Sequence, residues 1–376
     1  MKTVQFKITD ASMVTGLALP PACGLLLVFG ARALLQDARL YGLLRAACPD
    51  AVISGCSTAG EIQGTEVSDD TIVLTAVCFE ATALRLVTAQ VAVAADSRQA
   101  GASLSRQLHG QHLRHILVFS DGLNVNGSEL VQGLRESLPA AVNVTGGLAG
   151  DGVAFGETVV MADGPATSAL VAAIGFYSER LRVGCGSVGG WDAFGPERLI
   201  TRSAGNLLYE LDGESALSLY KTYLGSHADQ LPASALLFPL ALRLPEASMP
   251  VVRAILAVDE ASNSLTFAGD MPMGCYAQLM KANFNRLVDG AIETAEDNLA
   301  QLDGRTPELA ILISCVGRKV VLQQRVEEET EGVAEILGKQ AVLAGFYSYG
   351  EIAPHSALTR CELHNQTMTV TTFSEE

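Results

Sequence analysis

Residues 51–62 read AVISGCSTAGEI and residues 341–352 read AVLAGFYSYGEI. Six of these twelve positions are identical, and Ile53/Leu343 and Thr58/Ser348 are conservative pairs. Each copy follows a helical stretch, opens as a short apolar strand, enters a small-residue loop and closes on Gly-Glu-Ile. A looser third version, VTGGLAGD, occupies residues 144–151. A recurring segment of this kind marks a recurring supersecondary unit. The echo therefore predicts related half-domains, with loops 55–62 and 345–352 lining one shared cleft.

The surrounding pattern sets the fold class. Apolar strand-like runs at Cys23–Phe29, Ala51–Ser54, Thr71–Phe79, Ile116–Ser120, Asn143–Thr145 and Ala169–Tyr177 alternate with helical periodicity at Arg32–Ala47, Asp96–Leu108 and Ser128–Leu138. This predicts an α/β chain with α+β elements: two domains of mixed sheets with packed helices. Gly184–Gly190 and Trp191–Pro196 read as turns. After the Leu211-Asp-Gly213 turn the pattern predicts a helix at Ser215–Tyr223 and a hairpin, Val251–Val258 with Ser264–Phe267. It continues with a helix over Gln278–Leu302, a strand at Leu309–Cys315, a helix over Val320–Leu337, and strands at Val342–Phe346 and Met368–Phe373. The domain boundary falls between 213 and 214, giving domains 23–213 and 214–376.

Charge narrows the partners. The chain has 41 acidic and 25 basic residues, a net −16, which repels phosphate backbones and argues against nucleic acid. The apolar stretch 13–33 is interrupted by Pro20–Pro21 and Gly24 and does not read as a signal peptide. Stretch 233–244 is too short to span a bilayer. The eight cysteines show no CxxC, and Cys78 and Cys315 sit in apolar runs as small hydrophobes. The expectation is a cytoplasmic protein with reduced thiols and no membrane segment.

Several motifs fall short of the chemistry they resemble. Gly55–Gly60 has the spacing of a phosphate loop, but Glu61-Ile62 stand where Lys and Ser/Thr are required. Gly55-x-Ser57-x-Ala59 lacks the second glycine of a nucleophile elbow, leaving Ser57 or Cys56 as acyl-transfer candidates without an evident base. Gly184-Cys-Gly186-Ser-Val-Gly189 matches GxGxxG without a following helix. His109, His112 and His115 span a helix end and a strand start and read as a solvated turn. Glu327–Glu329 reads as a solvated helix face.

Taken together, ISGCSTAGEI (53–62), VFSDGL (118–123), GGLAGD (146–151) and GGWDAFGP…AGNLLYELDG (189–213) resemble the FIST N-terminal domain. GCYAQLM (274–280), SCVGRKVVL (314–322), GFYSYGEIAP (345–354) and CELHNQTMTV (361–370) resemble its C-terminal domain. FIST proteins are bacterial signal-transduction sensors. The resemblance implies ligand sensing rather than catalysis, and a stand-alone branch consists of haem proteins that sense nitric oxide and regulate a partner histidine kinase or cyclic-di-GMP enzyme. A homodimer is compatible with that architecture.

Three functional readings follow. The leading one is a haem b sensor of nitric oxide. Phe346, Tyr347 and Tyr349 would wall the macrocycle, Arg318, Lys319, Ser348 and Asn365 would meet its propionates, and His364, or else His355, would be the axial iron ligand. The alternative is a module for an amino-acid-like ligand. There Cys56, Ser57 and Thr58 would line the carboxylate site, with Ser348 on the twin loop, and Glu61 or Glu351 would hold the ammonium. The third is an enzyme acting through Ser57 or Cys56.

Overall fold

The computed structural model describes every residue except 140, 232, 245–249 and 356–358. Most of it is one five-strand unit used three times. Unit one runs β1 (Lys2–Ile8), β2 (Leu25–Gly30), β3 (Val52–Ser57), β4 (Glu61–Gln63) and β5 (Ile72–Cys78). Unit two runs β6 (Ala83–Gln90), β7 (Leu113–Ser120), β8 (Asn143–Leu148), β9 (Val160–Ala162) and β10 (Leu170–Tyr177). Unit three runs β11 (Leu181–Val188), β12 (Leu309–Cys315), β13 (Val342–Ser348), β14 (Gly350–Pro354) and β15 (Met368–Glu375). In each, the second and third strands are parallel, the fifth is antiparallel to the second, and the first edges the sheet.

The short fourth strand leaves its own unit. β4 pairs with β13, β14 with β8, and β9 with β3. These exchanges close a cycle that interlocks sheets I, II and III, one per unit. The expectation of two half-domains is thus corrected to three units. The third signature is loose because Asp151 takes the place of glutamate and an inserted loop delays β9.

The repeated glycine has a steric cause. Gly55, Gly146 and Gly345 stand in register with Val28, Val118 and Leu312 on the parallel neighbour. A Cβ at any of them would collide with that neighbour's carbonyl, so only glycine permits the strands to approach. Immediately upstream of the fifth strand, Asp70, Ala169 and Gln366 all adopt left-handed backbone, with φ of 57°, 56° and 63°. That conformation costs a non-glycine residue about 1–2 kcal/mol, and its threefold recurrence marks it as part of the unit.

The apolar runs Leu25–Phe29, Ile116–Phe119 and Leu309–Ile313 are buried throughout, as expected for strands covered on both faces. The sheets meet at Phe29, Phe119 and Phe346, whose ring centroids lie 4.8–6.2 Å apart. Unit one has Cys56 and unit two Gly147 where unit three has Phe346. One ring fills a centre that three would overpack.

Sheet IV is inserted between β11 and β12 and gives the molecule a two-domain layout. Its main path runs Val251–Arg253, Leu240–Arg243, Tyr276–Ala282, Trp191–Ala204, Leu207–Leu211, Ser264–Phe267, Ile255–Asp259. It takes strands from both sides of residue 213. Four sequence expectations change here. Gly184–Gly190 is largely β11, with Gly184 pressed against the backbone of helix Phe284–Gln301 at Asn298. Trp191–Pro196 opens a fourteen-residue strand. Gln278–Ala282 is strand, and the helix starts only at Phe284, where Asn283 Oδ1 accepts Arg286 N–H as its cap. The hairpin about Asn263 forms, but its first arm is Ile255–Asp259 alone, because Val251–Arg253 is a separate strand paired with residues 240–242. Among the described residues no helix is long and apolar enough to cross a membrane, and all eight cysteines are free.

Candidate ligand site

The Gly-Glu-Ile echo resolves into a carboxylate tie. Glu61 starts β4 and Glu351 lies at the start of β14, each where the chain departs for the neighbouring unit. Glu61 accepts the Thr58 hydroxyl at 2.5 Å and the Thr71 hydroxyl and N–H at 2.7 and 3.3 Å. Glu351 accepts the Ser348 hydroxyl at 2.6 Å and the Thr367 hydroxyl and N–H at 2.9 and 3.2 Å. Unit two makes its version with Asp121, which accepts the Thr158 hydroxyl at 3.0 Å and the Ala169 N–H at 2.7 Å. Each carboxylate pins a strand exchange to the start of a fifth strand. Burial pushes Glu61 upward and Glu351 to about 8, against the pull of these hydrogen bonds. At Asp121 burial also works upward, but its backbone and side-chain donors prevail and hold it below the usual range.

Loops 55–62 and 345–352 do touch: Ala59 N–H donates to Tyr347 O, and Tyr347 N–H to Gly60 O, both at 2.8 Å. They nevertheless open on different pockets. One, of about 170 Å³, is lined by Arg32, Thr58, Glu61, Asp69, Asp70, Asp151 and small neighbours. The other, of about 160 Å³, lies between units two and three beneath sheet IV. Its walls are the loop after β7 (Gly122, Leu123, Val125, Asn126), Leu148, Phe155 and Tyr349, with Ala94 at its edge. Sheet IV closes it with Asn206, Leu256 and Phe267–Gly269.

The second pocket is built around two stacked rings. Phe155 and Tyr349 lie 4.4 Å apart at 17°. Phe155 is held at φ 49°, a strained conformation for a bulky residue. The Tyr349 hydroxyl donates to Asp151 and accepts the N–H groups of Asp151 and Phe155 at 3.1 and 3.2 Å. Asp151 also accepts Gly156 and Glu157 N–H at 2.9 and 3.0 Å. The residue therefore belongs to both pockets, lining the first and anchoring the ring of the second.

Of the residues expected from sequence, Tyr349 lines the pocket beneath sheet IV, and Thr58 and Glu61 line the acidic one. The others lie elsewhere. Cys56 is sealed in the core, and burial pushes its thiol well up. Ser57 is buried and accepts Val159 N–H at 3.0 Å. Ser348 and Glu351 are fully buried against each other, so Glu351 does not face a ligand. Phe346 fills the centre of the three sheets. Arg318 is fully buried and pairs with Glu329 at 2.8 Å, while donating to the carbonyls of Gly189 and Leu287. Glu329 also accepts the hydroxyls of Ser314 and Tyr347 at 3.0 and 2.6 Å. The acidic helix is thus not wholly solvated, because its third glutamate neutralises a buried guanidinium. Lys319 donates to Ala59 O and pairs with Asp69. His115 is buried too, sharing a hydrogen bond with Thr145, and burial depresses it to about 3.

The residues chosen for haem do not frame a slot. His364 is fully buried on strand Cys361–His364, and its Nε2 faces Ala353 O at 2.9 Å. Its ring stands edge-on to His355 at 4.5 Å, and His355 Nδ1 meets Ser187 O at 3.1 Å. Burial depresses both imidazoles. Asn365 donates to Tyr349 O at 3.4 Å. The Nδ1 of His364 has no partner among the described residues, but Phe346, Tyr347 and Arg318 are committed to core packing and core bonds. The set as placed does not fit a porphyrin. Sequence reasoning missed Phe155, Asn206 and the sheet IV wall. Asp151 was visible only as the end of the looser echo.

Compared with known families, residues 24–214 match the FIST N domain and residues 216–354 the FIST C domain. The chain belongs to the FIST family, whose domains are signal-transduction sensors. No curated protein matches it. Among solved structures, a crystal structure of chorismatase is similar at 9% identity and a TM-score of 0.36, over 99% of this chain and 98% of that one. A likeness that distant carries no inference about chemistry.

Proposed function

We propose that the protein senses a small ligand in the pocket beneath sheet IV and passes the bound state to a separate signalling enzyme, a histidine kinase or a cyclic-di-GMP enzyme. One observation carries this reading. The pocket is closed by segments far apart in the chain: the loop after β7, Tyr349 at the β13–β14 junction, and Phe267–Gly269 of sheet IV. A ligand held there touches the interlocked sheets and the inserted domain together. Its binding energy then favours one relative placement of the two, which is the requirement for a ligand to shift a conformational equilibrium.

The haem and nitric oxide reading draws no support from the residues assigned to it, nor does acyl transfer from buried Ser57 or Cys56. The test is a visible spectrum of full-length protein from haem-replete cells, followed by thermal denaturation against a small-molecule panel. The expected result is a colourless protein whose melting temperature rises with a ligand, the rise being lost in Ala268→Trp. A Soret band that shifts with nitric oxide would overturn it.

A further inference from the structure

We infer that this pocket takes a neutral compound with a single aromatic ring bearing one hydrogen-bond donor, phenol being the simplest example. The inference rests on the assignment of the ligand site to the pocket beneath sheet IV. Size comes first. About 160 Å³ is available, and an apolar cavity of about 150 Å³ accommodates benzene. One ring with a small substituent fits, and a porphyrin or nucleotide does not.

Surface chemistry comes next. Among the described residues no charged side chain lines the pocket. Leu123, Phe155 and Leu256 line it and yet remain exposed at 38%, 37% and 39%. In the chain, Val93 precedes the lining residue Ala94 and Val153 lies two residues before Phe155; both are exposed, at 56% and 69%. Isolated exposed apolar residues need no explanation, but a group around one opening marks a surface that an apolar partner covers. The Tyr349–Phe155 stack offers an aromatic wall for offset or edge-on ring packing.

Nearby charges are already engaged: the buried Arg253 guanidinium, packed behind Gly269, donates to the carbonyls of Asp270, Val252 and Leu363. Asp121 accepts Leu123 and Asn124 N–H as well as its tie to Thr158 and Ala169. Asp151 is held by Tyr349, Gly156 and Glu157. Asp270 accepts Asn126 Nδ2 at 3.0 Å. An ionised ligand would lose its hydration here without meeting a charged side chain at the pocket wall among the described residues.

The polar atoms give the remaining specificity. The Tyr349 hydroxyl is fully used. Asn126 Oδ1 caps its helix by accepting Glu129 N–H. Asn206 Nδ2 donates to Phe267 O at 2.8 Å, while no hydrogen bond to its Oδ1 forms among the described residues. That oxygen is the acceptor for one ligand donor.

The test is calorimetric titration of the full chain with phenol, anisole, benzoate and L-phenylalanine, repeated on Ala268→Trp and on Leu123→Trp as a second occluding variant. Folding of both variants is checked by urea denaturation. Phenol should bind at least about tenfold tighter than the other three, a difference of about 1.4 kcal/mol, and should lose binding in whichever occluding variant folds. Benzoate or L-phenylalanine binding as tightly as phenol, with the same sensitivity to occlusion, would overturn the ligand class and leave the site standing. Anisole equal to phenol would overturn the role of Asn206. Phenol binding unchanged by occlusion would overturn the site. No phenol binding in the millimolar range would overturn the inference, and a different compound still blocked by occlusion would preserve the site.

Discussion

Tyr349 donates its hydroxyl hydrogen to Asp151 across the wall between the two pockets. The same oxygen accepts the backbone N–H groups of Asp151 and Phe155, so one atom organises the loop that shapes both. Tyr349→Phe keeps the ring stack but strands two N–H groups. It should cost about 1–3 kcal/mol in urea denaturation and weaken ligand binding. A variant as stable as wild type would show the hydroxyl to be idle.

Glu351 gives a pH signature. A solvated glutamate titrates near about 4.3, and burial lifts this one to about 8. The folded state therefore holds the proton more tightly than the unfolded state. This contribution to stability is present at low pH and is lost as pH rises from roughly 4 to 8. Glu351→Gln should remove that part of the slope while retaining hydrogen bonding to Ser348 and Thr367. Glu351→Ala should cost about 1–3 kcal/mol. Identical pH dependence in wild type and the Gln variant would exclude Glu351 as the titrating group.

The buried Arg318–Glu329 pair should behave as a unit. Glu329→Ala leaves a guanidinium at zero exposure without its counter-charge, and breaking such a pair costs about 3–5 kcal/mol. Arg318→Met with Glu329→Leu should cost less than the two single changes added together. Additive costs in a double-mutant cycle would mean that the two side chains act independently.

Gly55→Ala, Gly146→Ala and Gly345→Ala should each destabilise by several kcal/mol, because each new methyl meets a backbone carbonyl across a parallel pair. Gly42, inside helix Leu40–Ala47 with open space around it, is the control. Gly42→Ala should stabilise by roughly 0.5–1 kcal/mol. Tolerance at any of the three strand glycines would undo the steric account of the repeat.

Much of this body could be read before any coordinates. The continuous apolar strands and the echoed Gly-Glu-Ile were visible because burial on both faces and close strand approach leave few residue choices. Unit two was harder to see, since Asp121 performs the tie from the end of β7 instead of from the start of β9. The glycine-rich stretch of β11 looks like turn chemistry in sequence because Gly184 serves close packing against the helix at Asn298. The pocket was mostly illegible. Tyr349 and Phe155 come from different units, and Asn206 and Phe267 from an inserted sheet, so no spacing in the chain links them. His364 and Arg318 looked available because sequence does not reveal that Ala353 and Glu329 already occupy them.

Hydrogen–deuterium exchange of the full chain, with and without saturating phenol, tests the ligand site most directly. Protection is expected to rise together in residues 121–126, 267–270 and 349–352, the three segments that close the pocket. Protection confined to residues 361–364, or to the acidic pocket around Arg32 and Asp69, would contradict the account.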